Sequence, residues 1–409
     1  MSGITTAEQV IRRIWSFSKA LDLALIDEEV RKGFKIEIGC GHGERVGYIS
    51  MRLGHILGLK GSDLFFLMIA GLMHDIGAVG GFAEYHGNSR LMELHSGLGA
   101  KIMSDFPGGD ILSEAITYHH KTPEDNLEIP VMAQIISLAD KLDIMMERKI
   151  ATYRDRARIL NHVTHLAGKD FFPGVADALV QLAGEEAFWL YLNEGELLEP
   201  TLAFLCKRRV QEHFEFRKIC DLMFGELFTQ QLSDTFAFLI DQKSTFTGRH
   251  SRSVAENAYA MAMELGWGTE QCREIKLAGL LHDLGKLAVP QKILDKAGSL
   301  NEEEVQIIRT HTYYTHNLLS AAGFARNVVE WASYHHERLD GRGYPFRVPV
   351  TSLTTGCRIM TIADIFTALT EDRPYRNGLS EEKAMEIIRS GVHSTVDEEL
   401  VSTAEKALL

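Results

Sequence analysis

The feature that most restricts what this chain can fold into is that it carries one pattern twice. AGLMHDIG at 70–77 returns as AGLLHDLG at 278–285, with six of eight positions identical at a displacement of 208 residues. His42 and His250 are related by the same displacement, each 32 residues ahead of the next His-Asp pair. YHH at 118–120 matches YHH at 334–336, and His95 matches His311, both at 216; Asp140 matches Asp364 at 224. The second copy has therefore gained eight residues twice. Two units of about 200 residues can each bury a core of their own, so the repeat predicts tandem domains rather than a solenoid.

The 409 residues suit two or three domains. We place the boundary near residue 205, giving domains 1–204 and 205–409. Between Gly184 and Gln242, Glu199-Pro200 precedes Phe204, Leu205, Phe214, Ile219, Leu222 and Met223 among charges. This loosely amphipathic pattern reads as a connecting helix, able to serve as a homodimerising rod, although such a stripe is more often plain core. Three-and-four spacing predicts helices over Ala7–Leu25, Asp63–Met73, Ala255–Leu265, Glu302–Leu319, Val328–His336 and Glu381–Arg389. Asn301 before Glu302-Glu303-Glu304 predicts an N-cap with acids in the first turn. No alternating β-branched run competes, so the expected fold class is all-α.

Charge and cysteine usage remove several function classes. Basic residues number 43 against 56 acidic ones, a net charge of −13, which repels long nucleic acid but leaves room for a small anion held by a local basic cluster. The five cysteines are scattered without a CxxC pair, so neither a disulfide framework nor a thiolate zinc site is expected. The longest strongly apolar stretch, Leu64–Met73, is far short of the roughly 20 residues of a membrane helix. A cytoplasmic location away from membranes is the expectation.

Chemistry concentrates in the repeat. Of 17 histidines, ten fall into two matched sets of five, each joined by two aspartates. A lone histidine on an apolar helix face is usually a satisfied core residue. Five imidazoles buried beside two carboxylates without a cation would instead leave costly unsatisfied polar groups. Imidazole and carboxylate without thiolate suit divalent Mn, Fe, Co or Zn in a reactive rather than a structural site. His282 and Asp283, as neighbours on one helix about 100° apart, are expected to reach a common cleft, as are His335 and His336.

His250, LLHDLGK at 280–286, HHERLDGRGYP at 335–345 and DRPYR at 372–376 together resemble an HD-GYP domain, a branch of the HD metal-dependent phosphohydrolases, over roughly residues 210–409. The first copy resembles a plain HD domain without the GYP insertion. The resemblance implies an all-helical core, an iron or manganese centre and cleavage of a cyclic dinucleotide, cyclic di-GMP or 3',3'-cyclic GMP-AMP. It implies His250, His282, Asp283, His311, His335, His336 and Asp364 as ligands, Asp283 bridging two metals. Lys286 would touch the scissile phosphate, and Tyr344, Arg373 and Arg376 would hold base and phosphates. Trinuclear members have Glu four residues before the first His. Phe246 stands there, so two metals are expected, able to activate water for in-line attack at phosphorus. Ser253 replaces an Arg usual after the first His, and Thr367 replaces a common Asp, which puts the bracing of the ligands in question.

In the first copy His42, His74, Asp75, His95, His119, His120 and Asp140 fill the seven ligand positions, which predicts a second metal site. Ala78 stands where Lys286 stands, Lys121 replaces Glu337, and the GYP loop is missing. A regulatory or dimerising role is therefore expected there. The rival readings for the whole chain are a catalytically silent cyclic dinucleotide receptor and a general HD-type nucleotide phosphohydrolase.

Overall fold

A computed structural model describes residues 6–25, 41–78, 89–146, 152–207, 214–243, 249–372 and 377–409. Among these the regular elements are helices, with only two isolated β-bridges, Ala167 to Phe171 and Val392 to Val396. No described helix is long and apolar enough to cross a membrane. The chain forms two compact units, Met1–Phe228 and Thr229–Leu409.

The units are built alike. In the first, His42–Ile56 packs against Ser62–Met73 and Val131–Met145. In the second, His250–Glu264 packs against Thr269–Leu281 and Thr355–Thr370. Apolar side chains fill much of the space between these central helices: Val46, Ile49, Leu67 and Ile136 in one unit, Val254, Ala258, Leu281 and Ile362 in the other, are all buried. Close approach is helped by glycine. A Cβ on Gly279 would meet the Ala255 backbone, and one on Gly71 would lie 2.9 Å from Gly47. Even the β-bridges occupy matching places, each following a helix, Tyr153–His165 or Glu381–Ser390, near the end of its copy.

The expected helices at 7–25, 63–73, 302–319 and 381–389 are present within one or two residues, and 255–265 lies inside His250–Glu264 apart from its last residue. Asn301 caps Glu302–Ala321, its side chain accepting from the Glu304 amide while Glu304 reaches back. Two readings change. Arg326–Ser333 stops before the paired histidines instead of running through His336. Thr269–Leu281 likewise ends before Asp283, which begins the short 3₁₀ turn Leu284–Ala288. His282 and the His335-His336 pair therefore directly follow helix ends.

The stretch read as one connecting rod is four separate helices, Glu186–Glu194, Leu198–Lys207, Phe214–Phe224 and Glu226–Lys243. Leu198–Lys207 and Phe214–Phe224 pack on Thr6–Leu25 of the first unit, burying Leu205, Cys220 and Met223. Leu205 and Met223 of their apolar stripe are core while Leu222 is exposed, and the first unit extends past residue 205.

Candidate metal centres

Each unit gathers its five histidines and two aspartates around its central helices; in the second unit His250, His282 and the His335-His336 pair stand at helix ends, whereas His311 and Asp364 lie within Glu302–Ala321 and Thr355–Thr370. In the second unit His250 Nε2 lies 3.2 Å from Asp364 Oδ1, and His282 Nε2 lies 3.2 Å from Asp283 Oδ2 and 3.9 Å from Asp364 Oδ1. The other oxygen of Asp283 lies 3.4 Å from His311 Nε2. His311 in turn sits beside His335 and His336, with ring centres 5.6 and 5.3 Å away. Asp283 thus stands between two groups, one of His250, His282 and Asp364 and one of His311, His335 and His336.

The first unit repeats this. His42 Nε2 is 3.4 Å from Asp140 Oδ1, Asp75 Oδ2 is 3.2 Å from His74 Nε2, and Asp75 Oδ1 is 3.4 Å from His95 Nε2. His120 Nε2 is 3.0 Å from His95 Nε2, and the ring centres of His119 and His120 lie 3.8 Å apart. All seven residues expected in each copy are brought together.

Backbone carbonyls aim the rings. Nδ1 of His282, His311 and His335 meets the carbonyl three residues earlier at 2.8, 2.6 and 2.7 Å, as do His74 and His119 in the first unit at 2.9 and 2.6 Å. With Nδ1–H donated to a carbonyl, Nε2 keeps its lone pair and points inward, the tautomer a metal requires. Those inward atoms make no hydrogen bond: Nε2 of His282, His311 and His335 and Oδ1 of Asp283 in one unit, Nε2 of His119 and both carboxylate oxygens of Asp75 in the other. Buried polar atoms left so are costly, and a divalent cation among them satisfies the set. The residues fit a metal in both units.

Electrostatics agree with that state at His311, His335 and Asp283. Burial pushes the His311 ring down to about 3 and lowers His335 well below its ordinary value, reinforced by His336. Burial opposes ionisation of Asp283, yet His282 and Lys286 hold its carboxyl well below the usual range. Neutral imidazoles facing ionised carboxylates are the forms that bind metal.

Beyond the ligands the copies diverge. Lys286 reaches Asp283 Oδ2 at 2.5 Å, where the first unit has Ala78. Tyr344 lies over His336 with ring centres 4.8 Å apart, and Arg309 stands 5.1 Å from its ring. Buried Glu337, which takes the place of Lys121, accepts the amides of Phe346 and Arg347 at 2.8 and 2.9 Å and so pins the loop bearing Tyr344. A Cβ on Gly343 would lie 2.5 Å from the Glu337 backbone, so there is no room for a side chain. Arg373, Arg376 and Phe246 lie outside the described residues.

Several contributors were missed or underweighted in the sequence. Asp22 accepts the Gly43 amide and Asp241 the Ser251 amide and hydroxyl, bracing the residue after the first histidine in each copy. Burial raises the Asp241 carboxyl to about 6. Their displacement differs from the others, because they precede the repeat's first conserved spacing, and no signal singled them out. Glu371 contacts His250 Nδ1 at 2.9 Å; its place one helical turn after Thr367 is the cue that could have found it.

Residues 40–145 match a family model described as an HD domain, and residues 234–400 match a second model with the same description. The chain is 32% identical over 379 residues to 3'3'-cGAMP-specific phosphodiesterase 1 of Vibrio cholerae serotype O1, covering 86% of this chain and 83% of that protein. It is 30% identical over 281 residues to 3'3'-cGAMP-specific phosphodiesterase 3 of the same organism, covering 68% of this chain and 57% of that one. A crystal structure of a cyclic GMP-AMP specific phosphodiesterase of V. cholerae shares the fold, with TM-score 0.63 and 21% identity over 98% of this chain and 97% of that chain.

Proposed function

This chain belongs to the HD-domain cyclic dinucleotide phosphodiesterases, in the HD-GYP branch, and from that premise we propose that its second unit hydrolyses 3',3'-cyclic GMP-AMP in preference to cyclic di-GMP. One observation carries the assignment to the second unit: both units hold a seven-residue centre, but only the second adds Lys286 and the Tyr344 loop. The two V. cholerae relatives matched over most of this chain, both named for 3'3'-cGAMP, support the substrate.

His250, His282, Asp283, His311, His335, His336 and Asp364 would hold two divalent first-row ions, iron or manganese, with Asp283 shared between them. When bound, such ions supply Lewis acidity to the phosphodiester and to water. The chain's own groups do the rest. Lys286 Nζ, held beside Asp283, neutralises charge developing on the phosphoryl oxygens. The Tyr344 ring, fixed over His336 by the Glu337 clamp, stacks on a base, and Arg373 and Arg376 pair with the phosphates. The first unit, with Ala78 in place of the lysine and no such loop, binds metal in a regulatory role.

The test is hydrolysis of both dinucleotides by protein purified without oxygen and supplied with iron or manganese, beside His282→Ala/Asp283→Ala. Turnover lost in the double variant and faster on 3',3'-cyclic GMP-AMP supports the proposal. Tight binding without turnover would make the chain a receptor, and cleavage of mononucleotides alone would make it a general phosphohydrolase.

A further inference from the structure

The two copies solve one problem differently. In the first unit His42 Nδ1 meets Asp143 Oδ2 at 2.7 Å, and Asp143 is itself held by the Arg45 guanidinium; all three are buried. A carboxylate on Nδ1 fixes the ring and its tautomer, and here an arginine fixes the carboxylate. At the displacements that relate His42 to His250 and Asp140 to Asp364, Arg45 becomes Ser253 and Asp143 becomes Thr367. Neither replacement can do the same work. The Ser253 hydroxyl bonds the Arg249 carbonyl, and Thr367 Oγ1 donates to the Ala363 carbonyl and accepts from Asn257.

His250 nevertheless has a carboxylate on Nδ1. Glu371 stands four residues after Thr367, where Thr355–Thr370 ends, and its Oε2 lies 2.9 Å from His250 Nδ1. Four residues are one helical turn, so the longer side chain approaches the ring from the same face, one turn further on. Glu147, at the corresponding place of the first copy, lies outside the described residues.

We propose that Glu371 is the positioning residue of the second centre, replacing the Asp143–Arg45 pair of the first by holding His250 with Nδ1 protonated and Nε2 turned to the metal. This rests on the metal-centre reading above. Because Glu371 directly precedes Asp372, the first residue of DRPYR, the same short segment that would bind phosphate also orients a ligand.

The test uses full-length protein carrying His74→Ala/Asp75→Ala, so that only the second centre reports. Metal-stripped Glu371→Ala is titrated with manganese against a chelator, alone and with Ser253→Arg/Thr367→Asp added, and the melting temperature of each stripped protein is recorded. The expected results are a loss of about 10- to 100-fold in affinity for Glu371→Ala with an unchanged metal-free melting temperature, and recovery when the transplanted pair is present. A carboxylate arriving from another position rescues only if Glu371 acts on the ring. Undiminished affinity in Glu371→Ala, or a loss that the pair leaves uncorrected, overturns the proposal while leaving the metal centre intact. Absence of manganese binding with Glu371 in place overturns both.

Discussion

Gly285 lies against His311 so closely that a Cβ on it would overlap the His311 carbonyl oxygen. Its amide donates to Thr315 Oγ1 at 2.9 Å, and that hydroxyl donates to the His282 carbonyl at 3.1 Å. The turn carrying Asp283 and Lys286 is thereby seated on the helix carrying His311. Gly77 makes the same approach to the His95 carbonyl in the first unit.

Gly285→Ala must push the turn away from the helix. We expect it to destabilise the second unit by about 1–3 kcal/mol, the usual cost of overpacking, and to reduce metal content there because Asp283 moves relative to His311. Melting curves together with metal analysis check this. An alanine variant with wild-type stability and metal content would show that the seat is not rigid.

Lys286 touches Asp283 but belongs to neither histidine group, so its loss separates chemistry from metal binding. Lys286→Ala is expected to keep both metals and to lower kcat by about 10²–10³-fold, the range for removing one group that stabilises developing charge. Steady-state kinetics beside metal analysis reads the two effects apart; metal lost in proportion to activity would reassign Lys286 to holding Asp283.

Glu337 holds the Tyr344 loop through two amides and is itself buried. Removing it leaves those donors without their acceptor, worth about 1–3 kcal/mol. Glu337→Ala is therefore expected to raise KM for the dinucleotide by about tenfold or more while the metal content holds. A change confined to kcat would argue that Tyr344 does not bind the base.

Acid should destabilise the stripped protein. The His311 pKa is about 3 in the folded unit against about 6.5 when unfolded. The unfolded chain therefore takes up protons first as pH falls, and stability present above pH 6.5 is lost between about 6.5 and 3. His250, raised to about 9 because its bonds to Asp364 and Glu371 outweigh burial, acts oppositely, contributing below 6.5 and losing that contribution toward pH 9. Chelator-treated protein is expected to melt at progressively lower temperature from pH 7 to 4, and metal to raise the melting temperature most near neutrality. A flat profile in the acid range would refute neutral burial of His311.

The repeat makes much of this visible in the sequence alone. Identical spacings from His42 to His-Asp and from His250 to His-Asp point to two copies that fold alike, and helical periodicity along apolar faces located most helices within a residue or two. The candidate ligands were legible because imidazole and carboxylate recur at matched positions whatever surrounds them. The breaks after Leu281 and Ser333 were not, since local propensity continues smoothly through them and only packing ends the helix. Nor was the place of Leu198–Lys207 and Phe214–Phe224 on the first unit, because an amphipathic stripe does not say which surface covers it. The sequence by itself determined that there are two matched sets of five histidines and two aspartates and that one copy has a lysine and a loop the other lacks. Only the tertiary structure decided which carboxylate reaches each leading histidine, Asp143 at His42 and Glu371 at His250. Side-chain reach across 101 or 121 residues depends on how helices converge, and spacing along the chain does not record it.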